Sequence, residues 1–163
     1  MAMDMFLKID DLKGDSIDDT HPNEIQVLSW SWGMSQSGST HSATGGGSGK
    51  VNVQDLSFMK NIDTTTTNLI KACCNGSHFK QALLTVRKAG GKTAVEYLKI
   101  KMQDLIISNI STGGSGGGDM ITESVTLNFG QVSLDYTPQD KTGAAGSTMS
   151  AAWNIPKNSD KVG

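Results

Sequence analysis

Apolar residues recur at every second position through most of the chain, the period of a half-buried β-strand, and β-branched and aromatic types cluster between turn residues. This alternation predicts a first strand over Met5 to Asp10. Glu24 to Gln36 reads as one long strand, with Leu28, Trp30, Trp32 and Met34 on a packed face and Ser29, Ser31 and Gly33 on the other. Asn52 to Ile62 follows, with Leu56 and Phe58 opposed to Asp55 and Ser57. Ala82 to Lys88 and Ala94 to Met102 are joined by Ala89, Gly90, Gly91, Lys92 and Thr93, a plausible hairpin connection. Leu105 to Ile110 and Ile121 to Tyr136 flank the glycine cluster Gly113 to Gly118. In the last strand Val125, Leu127 and Phe129 hold odd positions while Val132, Leu134 and Tyr136 hold even ones, so the phase flips near Gly130. A β-bulge there would keep both sets on the core side and bend the sheet toward a barrel.

One segment reads as a helix. Asp63 and Thr64 to Thr67 offer N-cap oxygens, Leu69, Ile70, Ala72 and Cys73 share a face, and Asn75 with Gly76 supplies the stop. So short a helix must be held by packing against the sheet. Ser37 to Gly49 is a Gly/Ser/Thr stretch without an apolar anchor, and a loop of this length in a strand-dense domain is usually functional or disordered. Gln139 to Ser150 is similarly loose, and Ala151 to Ile155, carrying Trp153, reads as a last short strand before a polar end.

Composition narrows the function classes. The 163 residues suit one domain spanning 1–163, with a loose tail from about residue 139. A net charge of −2 supplies no basic field for phosphate backbones or anionic membranes, so neither nucleic acid nor membrane insertion is expected. Cys73 and Cys74 are adjacent, and neighbours bridge only through a strained ring, which points to reduced thiols and synthesis in the cytoplasm. Asp4 and Lys8 interrupt what would have to be a signal peptide's apolar core, and no stretch approaches the roughly 20 apolar residues of a membrane span. Export would then need a route that reads no N-terminal signal.

The catalytic motifs fail on context. Gly45 to Lys50 resembles a phosphate loop, but Thr44 stands where its first glycine belongs, Val51 replaces the Mg-binding hydroxyl, and a strand follows. Gly113, Ser115 and Gly117 match GxSxG, whose serine needs a strand-to-helix elbow, and here another strand follows with no histidine downstream. His21, His41 and His78 have no metal-ligand spacing and read as solvated turn residues. Cys73 could be a nucleophile, but beside apolar helical neighbours it reads as a small core residue. Trp30 and Trp32 could form a ligand-stacking platform in a monomeric β-barrel ligand- or carbohydrate-binding module, though same-face tryptophans more often anchor a core or an interface.

Several strands carry small polar groups opposite their apolar face: Ser29 and Ser31, Thr85 and Arg87, Thr126 and Asn128. An uncharged polar wall stays wet without gripping one cargo, which suits a water-filled channel, and ordinary solvent exposure accounts for the same residues equally well. The pattern by itself leads to a mainly β barrel or sandwich with one short helix.

An ordered set of segments reaches further. LSWSWGMSQSGS at Leu28 to Ser39, DLSFMKNID at Asp55 to Asp63, LTVRKAGG at Leu84 to Gly91 followed by VEYLKI, the glycine hairpin, and ESVTLNFGQVSLDYTPQ at Glu123 to Gln139 together resemble the haemolysin-coregulated protein (Hcp) family of type VI secretion. The likeness runs from about Met5 to Gln139, with a fainter match at Trp153 to Ile155. It implies a phage tail-tube-like fold of two packed sheets closed as a barrel with a helix at one side, and a structural protein with no catalytic residues or cofactor. It implies homohexameric rings stacked into a tube, with small effectors in the lumen, a spike protein of the valine-glycine-repeat family and a contractile sheath as partners. It also implies release of the protein itself by the type VI route, in the service of virulence. The family's extended loop, which contacts neighbouring subunits or rings, would correspond to Ser37, Gly38, Ser39, Thr40, His41, Gly45, Gly46, Gly47 and Gly49.

Overall fold

Backbone pairing accounts for most of the architecture. The computed structural model describes residues 3–38, 49–88 and 94–163. Its strands are β1 (Met3–Ile9), β2 (Ile25–Gln26), β3 (Ser29–Ser31), β4 (Met34–Ser35), β5 (Asn52–Val53), β6 (Leu56–Asn61), β7 (His78–Lys88), β8 (Val95–Gly113), β9 (Thr122–Tyr136) and β10 (Met149–Asn154), with helix α1 at Thr66–Asn75. Eight strands form one antiparallel sheet in the order β2-β1-β7-β8-β9-β6-β3, with β10 added on β9, and β4 pairs β5 separately. The mainly β architecture with one short helix is the one the sequence predicts.

The sheet curls as a half-barrel because its long central strands change face midway. On β8 the buried residues pass from Ile100 and Met102 to Leu105 and Ile107, and on β9 from Phe129 to Val132. The turnover lies at Asp104, held in the left-handed region at φ 55°, opposite Gly130. Aspartate tolerates that conformation better than most residues, because its short side chain bonds locally. Asp104 Oδ2 accepts from Gln131 Nε2 at 3.1 Å, and Asp10, with φ 38°, continues the bend line by accepting the Lys80 and Gln81 amides at 2.7 and 3.0 Å. The phase flip at Gly130 is therefore real, but the expected bulge is not there. Gln103 still faces Gln131 and Leu105 still faces Phe129, and the register slips instead between Ile107 and Asn109. Both strands turn over together, so neither needs an extra residue.

Curling brings the sheet's two edges within reach of one short segment. The Val27 amide donates to Met5 O on β1 at 2.9 Å, and the next amide, Leu28, donates to Met59 O on β6 at 2.8 Å. This crossing overturns the single strand expected over Glu24 to Gln36. The segment is split into β2, β3 and β4; Ile25 and Val27 are buried, while Leu28 and Met34 are exposed. A chain passing from one edge to another cannot keep one face inward. Likewise Ala94 to Met102 and Leu105 to Ile110 are one strand, β8, bent at Asp104 and not broken. The β7–β8 connection at 89–93 lies outside the described residues.

Inside the curl pack Leu7, Ile9, Leu56, Phe58, Leu84, Ile100, Met102, Leu105 and Leu127. Helix α1 covers part of this core through Leu69 and Ala72, and burying a leucine contributes roughly 1.5–3 kcal/mol. Ile70, expected on that face, is instead exposed, while Cys73 is half-buried against the core and Cys74 is exposed. Gly76 ends the helix at φ 68°, its amide donating to Ala72 O. The N-cap residue, Thr65, makes no side-chain capping bond; Asp63 organises the turn before it, its Oδ1 accepting the Thr65 amide at 2.8 Å and the Thr65 hydroxyl at 2.5 Å. The last short strand expected over Ala151 to Ile155 is β10, which pairs with β9 from Met149↔Tyr136 to Asn154↔Gln131.

A buried charge clips the helix to the sheet. Lys60 continues the inward series Leu56 and Phe58, and its side chain is fully buried. Its Nζ reaches Glu123 Oε2 on β9 at 2.6 Å, Asp63 Oδ1 at 2.9 Å, and the Thr66 hydroxyl at 3.2 Å. An ammonium in such a site is tolerable only while its partners remain. Replacing Glu123 by Ala should therefore lower stability by about 3 kcal/mol or more, whereas the double change Lys60→Met with Glu123→Leu should recover much of the loss. Urea denaturation followed by far-UV circular dichroism measures both.

Candidate functional site

The strand pairings bring four of the six predicted polar-face residues onto one surface. Ser31 on β3 lies opposite Ser57 on β6, which lies opposite Thr126 on β9, which lies opposite Asn109 on β8. The Ser57 and Thr126 hydroxyls are 3.0 Å apart. Ser29 and Asn128 extend the same face, and Asn128 Nδ2 donates to Asp55 Oδ1 at 2.8 Å, with the Ser108 hydroxyl donating to Asp55 Oδ2 at 3.1 Å. The result is a wall of hydroxyls and amides with one carboxylate and the exposed Met59 opposite Ser29, whose inward-facing counterparts Trp30, Phe58 and Val125 pack with the core.

Thr85 and Arg87 do not belong to that wall. Thr85 is buried opposite Phe6 of β1, and residues 10–24 pack over this end of the outer sheet face. Arg87 donates from Nη1 to Asp18 Oδ1 at 3.0 Å and from Nη2 to Asp4 Oδ2 at 3.0 Å, pairs with Asp18 Oδ2 as well, and lies 5.0 Å from the Phe6 ring centroid. The Arg87 guanidinium holds the Asp18 carboxyl far below the usual aspartate range, and Asp18 in turn raises Arg87. On the other side of this cluster His21 is buried, not solvated as its turn position suggests. Its ring stacks on Phe6 at 4.6 Å and meets Glu24 Oε2 at 2.5 Å and Glu96 Oε1 at 2.6 Å.

The residues singled out for chemistry stay apart. Ser115 sits on an exposed turn between β8 and β9, where Gly118 donates to its carbonyl at 3.1 Å, and the chain continues as a strand with no elbow. Gly49 and Lys50 precede β5 and not a helix. His78 is exposed at the start of β7. No group of three or more His, Cys, Asp or Glu placed to hold a metal ion occurs among the described residues. Trp30, in β3, and Trp32, just beyond it, are both half-buried against the core, and Trp32 donates from Nε1 to Gln54 O at 3.0 Å. Trp32 also lines a cleft of about 470 Å³ with Met34, Val53, Leu134 and Trp153.

The loop proposed for subunit contact is described only at its ends. Ser37 and Gly38 are exposed and Gly49 lines the same cleft, while Ser39, Thr40, His41, Gly45, Gly46 and Gly47 lie outside the described residues. Sequence reasoning missed Lys60, Glu123 and His21. Lys60 had a signal, because the period of two that places Leu56 and Phe58 inward places Lys60 inward as well. His21 had none, since both the Glu96 it meets and the Phe6 it stacks on are remote in sequence.

Comparison with known proteins bears on what this surface serves. Residues 6–136 match the family described as type VI secretion system effector, Hcp. The chain is 60% identical over 159 residues to protein hcp1 of Pseudomonas aeruginosa, covering 97% of this chain and 98% of that protein. Among solved structures it is similar to Hcp1 from Salmonella typhimurium, with 40% identity, a TM-score of 0.83, and coverage of 99% of this chain and 100% of the other. A structure described as a type six secretion system protein superposes with a TM-score of 0.92 at 28% identity, covering 98% and 100% of the two chains.

The Arg87 cluster yields a pH-dependent expectation. Because folding depresses the Asp18 pKa, its contribution is whole above the unfolded aspartate value of about 4 and is lost as pH falls below it. Asp18→Asn should flatten the acid side of the stability profile and leave the slope near neutral pH unchanged. Thermal melts across the acid range read this directly.

Proposed function

The chain belongs to the Hcp family of type VI secretion proteins, and from that premise we propose that it assembles into homohexameric rings which stack as the expelled inner tube of that apparatus. As a family member it is a structural tube protein and not an enzyme, and Hcp proteins are secreted by the type VI system. The likeness over nearly the whole length of both chains carries the reading.

The geometry supports it in two places. The wall formed by Ser29, Ser31, Thr126 and Asn128, with Ser57 between, is uncharged over most of its area and suits a hydrated lumen through which small effectors pass. Gln36, just before the stretch 37–49, and Gly49, at its end, line the apolar cleft with Trp32 and Met34, and in this reading that stretch reaches a neighbouring subunit or ring. A head-to-tail contact closes a ring when its rotation is right, and open stacking of rings then builds a tube. The spike protein and the contractile sheath complete the set of partners, and synthesis in the cytoplasm precedes export.

Size-exclusion chromatography with light scattering should find a particle of about six chains, and negative-stain images should show annuli with a hollow middle. A monomer at every concentration would refute the ring. Deleting 37–49 should keep the fold, judged by circular dichroism, while weakening association; undiminished assembly would remove the loop from that role.

A further inference from the structure

His21 is the most enclosed ionisable ring among the described residues, and nothing in the tube reading uses it. Its two nitrogens face two different carboxylates, Glu24 at 2.5 Å from Nδ1 and Glu96 at 2.6 Å from Nε2. A carboxylate only accepts, and a neutral imidazole has a single N–H, so a neutral ring would turn a lone pair toward one of the two. With both nitrogens protonated, each contact becomes a charge-assisted hydrogen bond.

The surroundings are built for that cation. Lys99 on β8 neutralises the far oxygen of Glu96 at 3.1 Å, so His21 and Lys99 together balance Glu24 and Glu96. Arg87 on β7, engaged with Asp4 on β1 and Asp18 of the covering segment, lies near the Phe6 ring on which His21 stacks. Burial works against the charge on Glu96, yet its bonds from Lys99 and His21 hold its pKa below the ordinary glutamate value.

The contact adds a link to β8 at a corner that Arg87 already ties to β7, donating from Nη1 to the Thr20 hydroxyl at 2.9 Å and to Asp18. Glu24 immediately precedes β2, the two-residue strand on the β1 edge, and Glu96 lies on β8, two strands away from β1. The Thr20-to-Glu24 corner also rests on Asn23 N to Ser16 O at 2.8 Å and Ser16 N to Glu24 O at 3.1 Å. From these contacts we infer that His21 is a protonation-dependent latch: doubly protonated, it fastens the corner at residues 20–24 and the adjoining β2 edge to β8, and loss of one ring proton loosens both.

The sign follows from the ring's role as donor. The latch is fastened while both ring nitrogens carry protons and loosens as pH rises and one of them is lost, while the lowered pKa of Glu96 keeps that carboxylate ionised into the acid range. It acts within one chain, so its test is independent of ring assembly.

Amide hydrogen exchange at Asn23 and Val27, taken as protection factors relative to Leu69 in α1, reads the latch at about pH 5.5 and about pH 8.5, on either side of the imidazole value. Relative protection should fall by about tenfold at the higher pH. In Glu96→Gln the introduced amide can donate to Nε2 of a neutral ring, so protection should persist at both pH values. His21→Gln should show no pH dependence. Flat wild-type protection would overturn the inference, and so would an equal fall in either variant.

Discussion

Two consecutive amides, those of Val27 and Leu28, donate to opposite edges of one curled sheet, and the rest of the structure depends on that stitch. An open antiparallel sheet leaves unpaired donors and acceptors along both edges. By bending at Asp104 and Gly130, this one brings β1 and β6 close enough for a single segment to serve both, and Leu7, Phe58, Ile100 and Leu127 become an interior. The bend and the stitch need each other. Without the turnover of face on β8 and β9 the edges would diverge, and without the stitch the curl would leave each edge open at its centre.

Closure also sorts the polar residues. At the β3-β6-β9 end the outer face stays open and carries small uncharged groups, apart from Asp55 and Met59. At the β1-β7 end the same face is covered by residues 10–24, and there the charged groups are paired: largely buried Arg87 with Asp18 and the more exposed Asp4, buried His21 with Glu24 and Glu96. One face of one sheet thus serves as a wet wall at one end and a docking platform at the other. The open wall meets water, while the covered end keeps its charges internally matched.

Buried ion pairs hold the smaller elements to this frame. Lys60 joins β6, β9 and the start of α1, where a helix of ten residues has little stability of its own. Such pairs contribute less to net stability than their Coulomb attraction suggests, since both charges lose their hydration, but an unmatched charge left behind is costly. Their effect is to penalise any arrangement in which helix and sheet separate.

Strand content, the helix with its Gly76 stop, the phase flip near Gly130 and the family were all legible in the sequence, because alternation, turn residues and ordered segments are local properties of the chain. The same local rule pointed to Lys60 as an inward residue. What the tertiary structure alone decided is which neighbours each residue meets. It broke Glu24 to Gln36 into three strands because that segment serves two edges, it removed Thr85 and Arg87 from the open polar face because residues 10–24 fold over them, and it enclosed His21 between carboxylates that are 72 positions apart in the chain. Periodicity records which side of a strand a residue occupies, and it holds no information about what the rest of the chain will lay on that side.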